Sequence, residues 1–399
     1  MTLFALALAV LLALERLWRH ACIVRFFQRP VPPPPDATAP RPLVSILQPI
    51  LSGDPTMPRC LERSLFSETA YPVEFVYLVD EDDTEARRLC EDLTARSRPE
   101  RRVTTLLLPP PGPGQNPKMV KLIAGAEAAR GDVLCVLDDD TTLPDFGLEQ
   151  CLPFLNVPKA GVAFGLPYYA HFGNLWSTLV AAFVNATSLA TYVPYAALTP
   201  PVTINGMFYA VRRDVLASVG GFAGLEETLA DDFAVARRFR EHGLRLIQTP
   251  LRHAVRTHIR DGRHYRTLMH RWFTFPRESV LRHVSPWERA VVLALGGAGN
   301  VLPLVLVLLA AAAGTAEAWA AVAAFFALDL GLIAWRSRAY LGGATPAHGL
   351  LLTPLVLLVL PLQMLTALLA PRQRIVWRGI VMEVEKGGGF RFVRRPRDR

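Results

Sequence analysis

Apolar residues are concentrated at the two ends of this chain, and the middle has the polarity of an ordinary globular domain. Residues 2–14 are nearly all apolar, and three long apolar stretches follow near the C-terminus, at about 288–313, 315–336 and 348–370. Each of the three is long enough to span a bilayer, which takes roughly 20 apolar residues. The pattern predicts an N-terminal transmembrane anchor, residues 1–28, and C-terminal membrane helices, residues 288–371, on either side of a polar domain.

The middle of the chain, residues 43–260, alternates between short apolar strands and amphipathic helices. Strands are predicted at 43–48, 73–79, 102–108 and 133–137, and helices at 60–66, 84–97 and 116–130. This alternation with short connections predicts an α/β domain with a parallel sheet, which binds ligands at the carboxyl ends of its strands. Residues 29–42, which include four consecutive prolines, are predicted to be a stiff linker in front of this domain.

The net charge of +8 comes largely from arginines beside the apolar stretches. They are Arg16, Arg19, Arg25, Arg29, Arg336, Arg338, Arg372, Arg374 and Arg378. This placement fits the positive-inside rule and anionic lipid headgroups, and it lacks the basic helix or aromatic-studded sheet of a nucleic-acid-binding protein. We therefore expect a bilayer as partner and no nucleic acid.

The basic tail, residues 372–399, is predicted to be cytoplasmic. One N-terminal and three C-terminal crossings would place it outside, so we expect residues 348–370 to enter the membrane without crossing it. A kinked crossing helix is the alternative, because Pro354 and Pro361 lie in this stretch. The five cysteines have neither CxxC nor Cys/His spacing, which predicts reduced thiols in a cytosolic domain and no zinc site.

Three acidic residues, Asp138, Asp139 and Asp140, directly follow the predicted strand 133–137. Side chains alternate along a strand, so Asp138 and Asp140 are expected to face one way and Asp139 the other. Two convergent carboxylates suit a hard divalent cation that binds phosphate oxygens and neutralises a diphosphate leaving group. We predict a metal site at Asp138 and Asp140, with Asp139 tolerant of replacement; a solvated acidic loop is the alternative.

Two further acidic sites come at the start of predicted helices. Asp80 ends the strand at 73–79 and is our candidate for contacting the base or ribose of a nucleotide, although a helix N-terminus explains the run 80–83 equally well. Asp232 begins a helix that reaches Glu241, where capping is again the simpler explanation. The functional alternative for Asp232 is a general base that removes the proton of an acceptor hydroxyl.

Arg271 and Trp272 follow a basic stretch in the amphipathic segment 261–287. This segment is predicted to be either an interfacial helix with snorkelling arginines or a cation and aromatic pair that holds diphosphate and sugar. The residues alone leave both open.

Together these motifs resemble the ceramide glucosyltransferase family, a membrane branch of the inverting GT-A glycosyltransferases. The resemblance runs over roughly residues 43–275 and rests on the order and spacing of many short motifs. They are Gln48-Pro49, Gly53-Asp54, Asp80, Asn116-Pro117-Lys118, Asp138, Gly165-Leu166-Pro167-Tyr168, Gly206-Met207, Arg213-Asp214-Val215-Leu216, Gly220-Gly221, Asp232 and Arg271-Trp272.

The resemblance implies a GT-A (Rossmann-like) catalytic domain, a UDP-sugar donor, a divalent metal (Mn²⁺ or Mg²⁺) and a lipid acceptor that enters from the membrane. It assigns Asp232 as the base and Asp138 with Asp140 as metal ligands. The implied donor-binding residues are Pro49, Asp80, Asp82, Lys118, Asp138, Arg271 and Trp272.

Two positions depart from the family pattern. The closing motif has Gln or Arg three residues before its Arg-Trp pair, whereas this chain has Leu268, so Arg266 is the expected substitute. The first acidic motif can be matched with Asp80, Glu81 or Asp82 in the key place, which leaves the nucleotide ligand open among these three.

The expected activity is an inverting transfer of a hexose, glucose by resemblance, from a UDP-sugar to the hydroxyl of a membrane lipid, foremost ceramide. A processive polysaccharide synthase and a transferase acting on diacylglycerol or a hopanoid are the alternatives. The apolar stretch 174–198 is then either a core helix or an interfacial helix at the lipid entrance. In the second case its aromatic residues Trp176, Tyr192 and Tyr195 would line the acceptor site. The expected location is a bacterial inner membrane, with the catalytic domain in the cytoplasm.

Overall fold

A computed structural model describes residues 1–33, 40–112, 114–228, 230–369, 374–377, 380–384 and 390–394 of the chain. The helices are α1 (Thr2–Phe27), α2 (Met57–Leu65), α3 (Thr84–Ala95), α4 (Pro117–Ala128), α5 (Gly147–Cys151), α6 (Leu175–Leu198), α7 (Arg213–Ser218), α8 (Asp231–Glu241), α9 (Gly262–Phe275), α10 (Leu281–His283), α11 (Pro286–Val292), α12 (Gly299–Ala313), α13 (Ala316–Tyr340) and α14 (Ala347–Leu369). The strands are β1 (Val44–Ile50), β2 (Val73–Asp80), β3 (Arg102–Leu108), β4 (Val133–Leu137), β5 (Thr141–Thr142), β6 (Ala160–Tyr169), β7 (Phe208–Arg212), β8 (Arg245–Val255), β9 (Arg374–Trp377), β10 (Ile380–Val384) and β11 (Phe390–Arg394).

An eight-stranded sheet in the order β3-β2-β1-β4-β7-β6-β8-β5 forms the centre of the polar domain. Successive side chains alternate between its two faces, so Ile46 and Phe75 belong to the core under α2 and α3. Leu47 and Val76 belong to the core under α4 and α8 on the opposite face. All eight residues of β2 are buried, as expected for a strand covered on both faces.

The sheet is mixed, whereas the sequence predicted a parallel one. The strands β3, β2, β1 and β4 are parallel, as predicted, but β7 runs antiparallel to both β4 and β6. The reason lies in the connection: the chain leaves β6, passes through α6 and enters β7 from the opposite direction. Apolar periodicity identifies a strand but carries no information about its direction.

The start of α4 shows how local sequence positions the site. The Asn116 side chain caps the helix by accepting hydrogen bonds from the backbone N–H groups of Lys118 (3.0 Å) and Met119 (3.4 Å). Pro117 occupies the first helical position, where no backbone donor is needed. Lys118 and Lys121, one turn apart, therefore point from the first turns of α4 toward the carboxyl ends of β1 and β4.

Within the part of the chain that the structure describes, four helices are long and apolar enough to cross a membrane. They are Leu175–Leu198, Pro286–Ala313, Ala316–Tyr340 and Ala347–Ala367. The three C-terminal helices coincide with the three apolar stretches from which membrane helices were predicted. Helix α1 carries Glu15, Arg16 and Arg19 in its middle and is not among the four, but it packs with α12 and α13 around a shared apolar core.

The C-terminal residues form more structure than the predicted basic tail. Strands β9, β10 and β11 make an antiparallel sheet in the order β11-β10-β9. Their sequences are short and rich in Ile, Val, Phe and Trp, residue types that favour strands, but the apolar and polar positions do not alternate strictly. The rest of the predicted tail lies outside the described residues, as do residues 34–39 of the predicted linker.

Candidate active site

A cavity of about 840 Å³ opens at the carboxyl ends of β1 and β4. Four segments of the chain and three single residues line it. The segments are the loop 49–55, the start of α4 (Pro117, Lys118, Lys121), the acidic run 138–140 and residues of 257–272 (Thr257, His258, Arg260, Asp261, Arg263, His264, Thr267, Leu268, Arg271, Trp272). The single residues are Tyr169, Met207 and Val381. The predicted site residues Pro49, Lys118, Asp138, Asp140, Arg271 and Trp272 are thus brought together around one cavity.

Lys118 is the centre of the charged groups beside this cavity. Its ammonium Nζ lies 2.7 Å from Asp138 Oδ1 and 3.1 Å from Asp231 Oδ2. It also donates a hydrogen bond of 2.8 Å to the carbonyl oxygen of Gly206. Burial disfavours the charged amine, but the two carboxylates outweigh it and raise the pKa of Lys118 well above its usual value. One side chain therefore joins the acidic run to the start of α8.

The three acidic residues after β4 have different surroundings. The pKa of Asp138 is raised to about 7, chiefly by burial, and the Lys118 ammonium opposes this shift. Asp140 Oδ2 accepts a hydrogen bond of 2.7 Å from the hydroxyl of Thr257. Asp139 is buried, and its Oδ2 accepts a 2.9 Å hydrogen bond from the backbone N–H of Leu51.

The expectation that Asp139 tolerates replacement does not fit this geometry. The strand ends at Leu137, and the next residues are in a turn, so the alternation of a strand does not apply to them. Asp139 lines the same cavity as Asp138 and Asp140, and it fastens the loop after β1 to the loop after β4.

Asp231 and Asp232 begin α8, and Asp231 is joined to the cavity wall through Lys118. Asp232 does not belong to the described residues that line the cavity, but it lies beside Gly206, where an added Cβ atom would come within 3.2 Å of the Asp232 Cβ and 3.5 Å of Lys118 Nζ. Burial and then the neighbouring Asp231 raise the pKa of Asp232 to about 7. Gly206 therefore lets these two charged side chains approach closely.

Asp80 lies at the end of β2, as predicted, but it does not line the cavity itself and contacts Lys121, which does. Its Oδ1 lies 3.1 Å from Lys121 Nζ, which also donates a 2.8 Å hydrogen bond to the carbonyl of Ile50. Lys121 lines the cavity and was not identified from the sequence; its spacing of one helical turn from Lys118 was the available signal. Asp82 is exposed.

Asp83, the last residue of that acidic run, lies at the N-terminus of α3, which was the alternative explanation of the run, and its side chain caps the helix. Its Oδ1 accepts a 3.1 Å hydrogen bond from Ala86 N–H at the start of α3, and its Oδ2 accepts one of 2.9 Å from Ser52 N–H. Asp83 therefore also holds the loop that forms one wall of the cavity.

Helix α9 presents one face to the cavity. His264, Thr267, Leu268 and Arg271 lie on this face at helical spacing. Arg266 is exposed on another face, so the expectation that it substitutes at the Leu268 position is wrong. A helix turns 100° per residue, so the side chains at positions 266 and 268, two residues apart, point to nearly opposite sides of the helix.

Basic residues at the start of α9 add positive charge to the cavity; the sequence left this segment open between an interfacial helix and a site for diphosphate. Arg260 and Arg263 both line the cavity, together with Arg271. The loop in front of them is fixed by Asp54, whose Oδ2 accepts a 3.0 Å hydrogen bond from His258 N–H. The cavity is thus lined by arginines as well as by the acidic run.

An aromatic group closes the cavity at Trp272. Its ring lies 6.0 Å from that of Tyr169, edge to face, and 6.1 Å from that of Phe183 in α6. Of the predicted acceptor residues of α6, Trp176 belongs to the same apolar cluster and lies 5.8 Å, ring to ring, from Tyr265, whereas Tyr195 packs against Val284 in another cluster. Tyr192 is close enough to Asp232 for an electrostatic interaction. A role for these three in binding an acceptor stays a prediction.

The donor set at the acidic wall fits a divalent cation that arrives with a nucleotide. Within the described part of the chain, no cluster of three or more His, Cys, Asp and Glu side chains could hold a metal alone. Asp138 and Asp140 offer two carboxylates, and Mg²⁺ commonly binds through one or two carboxylates together with substrate phosphates and water. The residues present therefore fit the implied metal as a partner of the donor.

A Rossmann-like mixed sheet, an acidic turn after its central strand and arginines in the same cavity define the class of GT-A glycosyltransferases. A solved structure of this class aligns over 90% of this chain and 99% of its own, with a TM-score of 0.50 and 20% identity. It is the mannosyltransferase PcManGT from Pyrobaculum calidifontis, in complex with GDP-Man and Mn²⁺.

The family follows from the sequence match over nearly the whole chain. The model of glycosyl transferase family 21 matches residues 1–390, and the chain belongs to this family, that of the ceramide glucosyltransferases. The resemblance inferred from the motifs and the GT-A fold are both confirmed.

Proposed function

We propose that this chain transfers a hexose from a UDP-sugar to the hydroxyl of a membrane lipid, with inversion at the sugar. The observation that carries the proposal is the cavity itself, which is lined both by an acidic wall, joined through Lys118 to Asp231 at the start of α8, and by Arg260, Arg263 and Arg271. Carboxylates can share a divalent cation with a diphosphate, and arginines in the same cavity can bind its oxygens directly.

Asp138 and Asp140 would hold a divalent cation, which when bound neutralises charge on the diphosphate. The arginines of α9 would bind the same diphosphate and leave its sugar near Trp272. Lys121, with Asp80 behind it, lies beside the loop at Pro49 and would contact the nucleoside end.

Asp232 is the better choice of base among the carboxylates near Lys118. Asp231 and Asp138 each have a carboxylate oxygen in contact with the Lys118 ammonium, and Asp138 would also hold the metal. Asp232 has its pKa raised to about 7, close to the pH at which a general base works best. In the proposed reaction the acceptor oxygen forms a bond to the anomeric carbon, the bond from that carbon to the diphosphate breaks, and the hydroxyl proton passes to Asp232.

The choice of a lipid acceptor is supported by what surrounds Trp272. Its aromatic group is continuous with Phe183 of α6 and with Leu360 and Met364 of α14, so the cavity adjoins apolar helices. The UDP-sugar, glucose and ceramide follow from the family; another hydroxylated lipid would suit the same arrangement. A cytoplasmic face of a bacterial inner membrane is the proposed location.

The test is to incubate the purified protein with a panel of UDP-sugars and membrane lipids and to identify products by mass spectrometry. We expect Asp232→Asn to abolish transfer while donor binding, measured by calorimetry with Mn²⁺, is retained. The matched control is Asp214→Asn, which removes a carboxylate of an exposed ion pair with Arg212 and should change neither quantity. Equal loss of donor binding in Asp232→Asn would show that Asp232 has another role.

A further inference from the structure

Two of the four apolar helices, α6 and α14, have both ends against the polar domain. We infer that they lie in the plane of the membrane interface on the side of the catalytic domain, without crossing, and that the leucine face of α14 contacts the acyl chains of that leaflet. This inference does not depend on the proposed sugar transfer.

Helix α6 connects two strands of one sheet. It leaves β6 and leads to β7, and these strands pair directly, with Val162 opposite Val211 and Phe164 opposite Tyr209. At its N-terminus the Asn174 side chain donates a 2.9 Å hydrogen bond to the carbonyl of Ile259. A helix between paired strands begins and ends on the same side of a bilayer, whatever its hydropathy.

Helix α14 also begins on the catalytic side. The preceding helix, α13, ends at Tyr340, whose ring stacks 4.1 Å from Phe27 and whose carbonyl accepts a 2.8 Å hydrogen bond from Arg252 of β8. At the start of α14, His348 lies 6.2 Å, ring to ring, from Phe172.

The other end of α14 returns to the same side. Gln363 donates a 3.2 Å hydrogen bond to the hydroxyl of Tyr265 in α9. After α14 the chain forms β10, whose Val381 lines the catalytic cavity. A helix with both ends on one side crosses the bilayer either twice or not at all. The 23 residues of α14 are about 35 Å long, enough for a single crossing and too short for two.

The two faces of α14 differ in what covers them. Thr353, Val356, Leu357 and Leu360 are buried against the neighbouring helices and the polar domain. The outer face carries a stripe of leucines that are 49–74% exposed: Leu351, Leu355, Leu362, Leu365 and Leu369. Burying a leucine side chain is worth about 1.5–3 kcal/mol, so such a stripe is unfavourable in water.

Acyl chains are the occupant that best fits this stripe, because neighbouring α12 and α13 expose apolar residues of the same kind. Helix α13 also carries exposed tryptophans near both ends, Trp319 and Trp335, about 24 Å apart along the helix. Aromatic residues at two such levels mark the two interfaces of a crossing helix. Trp335 lies at the end of α13 that adjoins α14, because its ring is 5.4 Å from that of Tyr340 and α14 begins soon after, at Ala347.

Cysteine labelling tests the topology. In a Cys22→Ser background the other four cysteines are buried. Glu91→Cys marks the catalytic side and Ala316→Cys the tip between α12 and α13. A membrane-impermeant maleimide should label Ala347→Cys and Glu383→Cys from the Glu91→Cys side of sealed vesicles, and Ala316→Cys from the other. Labelling of Ala347→Cys and Glu383→Cys from opposite sides would overturn the inference.

A depth measurement tests the leucine face. Nitroxides at positions 351, 355, 362 and 369, introduced one at a time through cysteine, should report the same shallow depth by collision with oxygen and with an aqueous nickel complex. Positions 301 and 308 on α12, both exposed, should report two different depths as the crossing control. A depth that changes steadily along α14, or nitroxides that collide only with the aqueous complex or with neither reagent, would refute contact with the acyl chains.

Discussion

Replacing Lys118 by Met tests whether this side chain holds the acidic site together. The substitution keeps most of the length of the side chain and removes its charge. It would leave Asp138 and Asp231 facing each other without their cation and the Gly206 carbonyl without its donor. We expect a large loss of stability and no sugar transfer.

The size of the loss follows from burial. Removing one partner of a buried ion pair costs about 3–5 kcal/mol. The three side chains are 12%, 26% and 22% exposed for Lys118, Asp138 and Asp231, so water and protonation of the carboxylates offset part of that cost. We expect about 3 kcal/mol, which lowers the apparent Tm by about 6–12 °C in a domain of this size.

Lys121→Met is the matched control, because Lys121 lies one turn along α4 and contacts one carboxylate, Asp80, and one carbonyl. Burial lowers the pKa of Lys121, with Asp80 offsetting only part of the effect, whereas two carboxylates raise that of Lys118. Thermal unfolding in detergent should therefore show a larger fall for Lys118→Met than for Lys121→Met. Equal falls, or the reverse order, would refute the view that Lys118 joins the acidic segments.

Three further outcomes are expected. The transfer rate should rise with pH through about 7 and level off above it, because Asp232 acts as a base only when deprotonated and its pKa is raised to about 7; a rate that is flat between pH 6 and 8 would contradict this. Asp139→Ala should destabilise the protein by about 1–3 kcal/mol, since Leu51 N–H loses its buried acceptor, and Asp139→Asn by less; unchanged thermal unfolding of both would count against a structural role. Turnover should stop in EDTA and return with Mn²⁺ or Mg²⁺, and activity that persists in chelator would remove the metal from the proposal.

The sequence was sufficient for the elements from β1 to β4 and for the edge of the sheet where the site lies. The run 133–137 is apolar throughout and is followed at once by aspartates, which indicates a buried strand that ends at the surface of the sheet. Strand β4 has the predicted bounds, Val133–Leu137, and helix α8 ends at Glu241 as predicted. Buried strands and capped helices leave clear local patterns, and the carboxyl-end rule then places the cavity.

The sequence did not reveal which segments, far apart along the chain, contact each other in the fold. The pairing of Lys118 with Asp231 depends on how α4 and α8 meet, and the role of Asp139 depends on a turn that alternation does not describe. Arg266 was chosen by proximity in sequence to position 268, although the angular spacing of a helix favoured positions three or four away. A helical-face argument would have found His264, four residues away, instead.

The membrane helices contribute to the site as well as to anchoring. Helix α14 contacts α9 through Gln363 and Tyr265, and α9 carries Arg271 on its cavity face. The strand that follows α14 brings Val381 to the cavity wall. If α14 lies in the interface as inferred, its leucine face is in the leaflet and its other face supports α9, the helix proposed to bind the donor. A lipid that reaches Trp272 from this leaflet would then stay in apolar surroundings until its hydroxyl meets the sugar, which gives a physical reason for the same helices to serve both purposes.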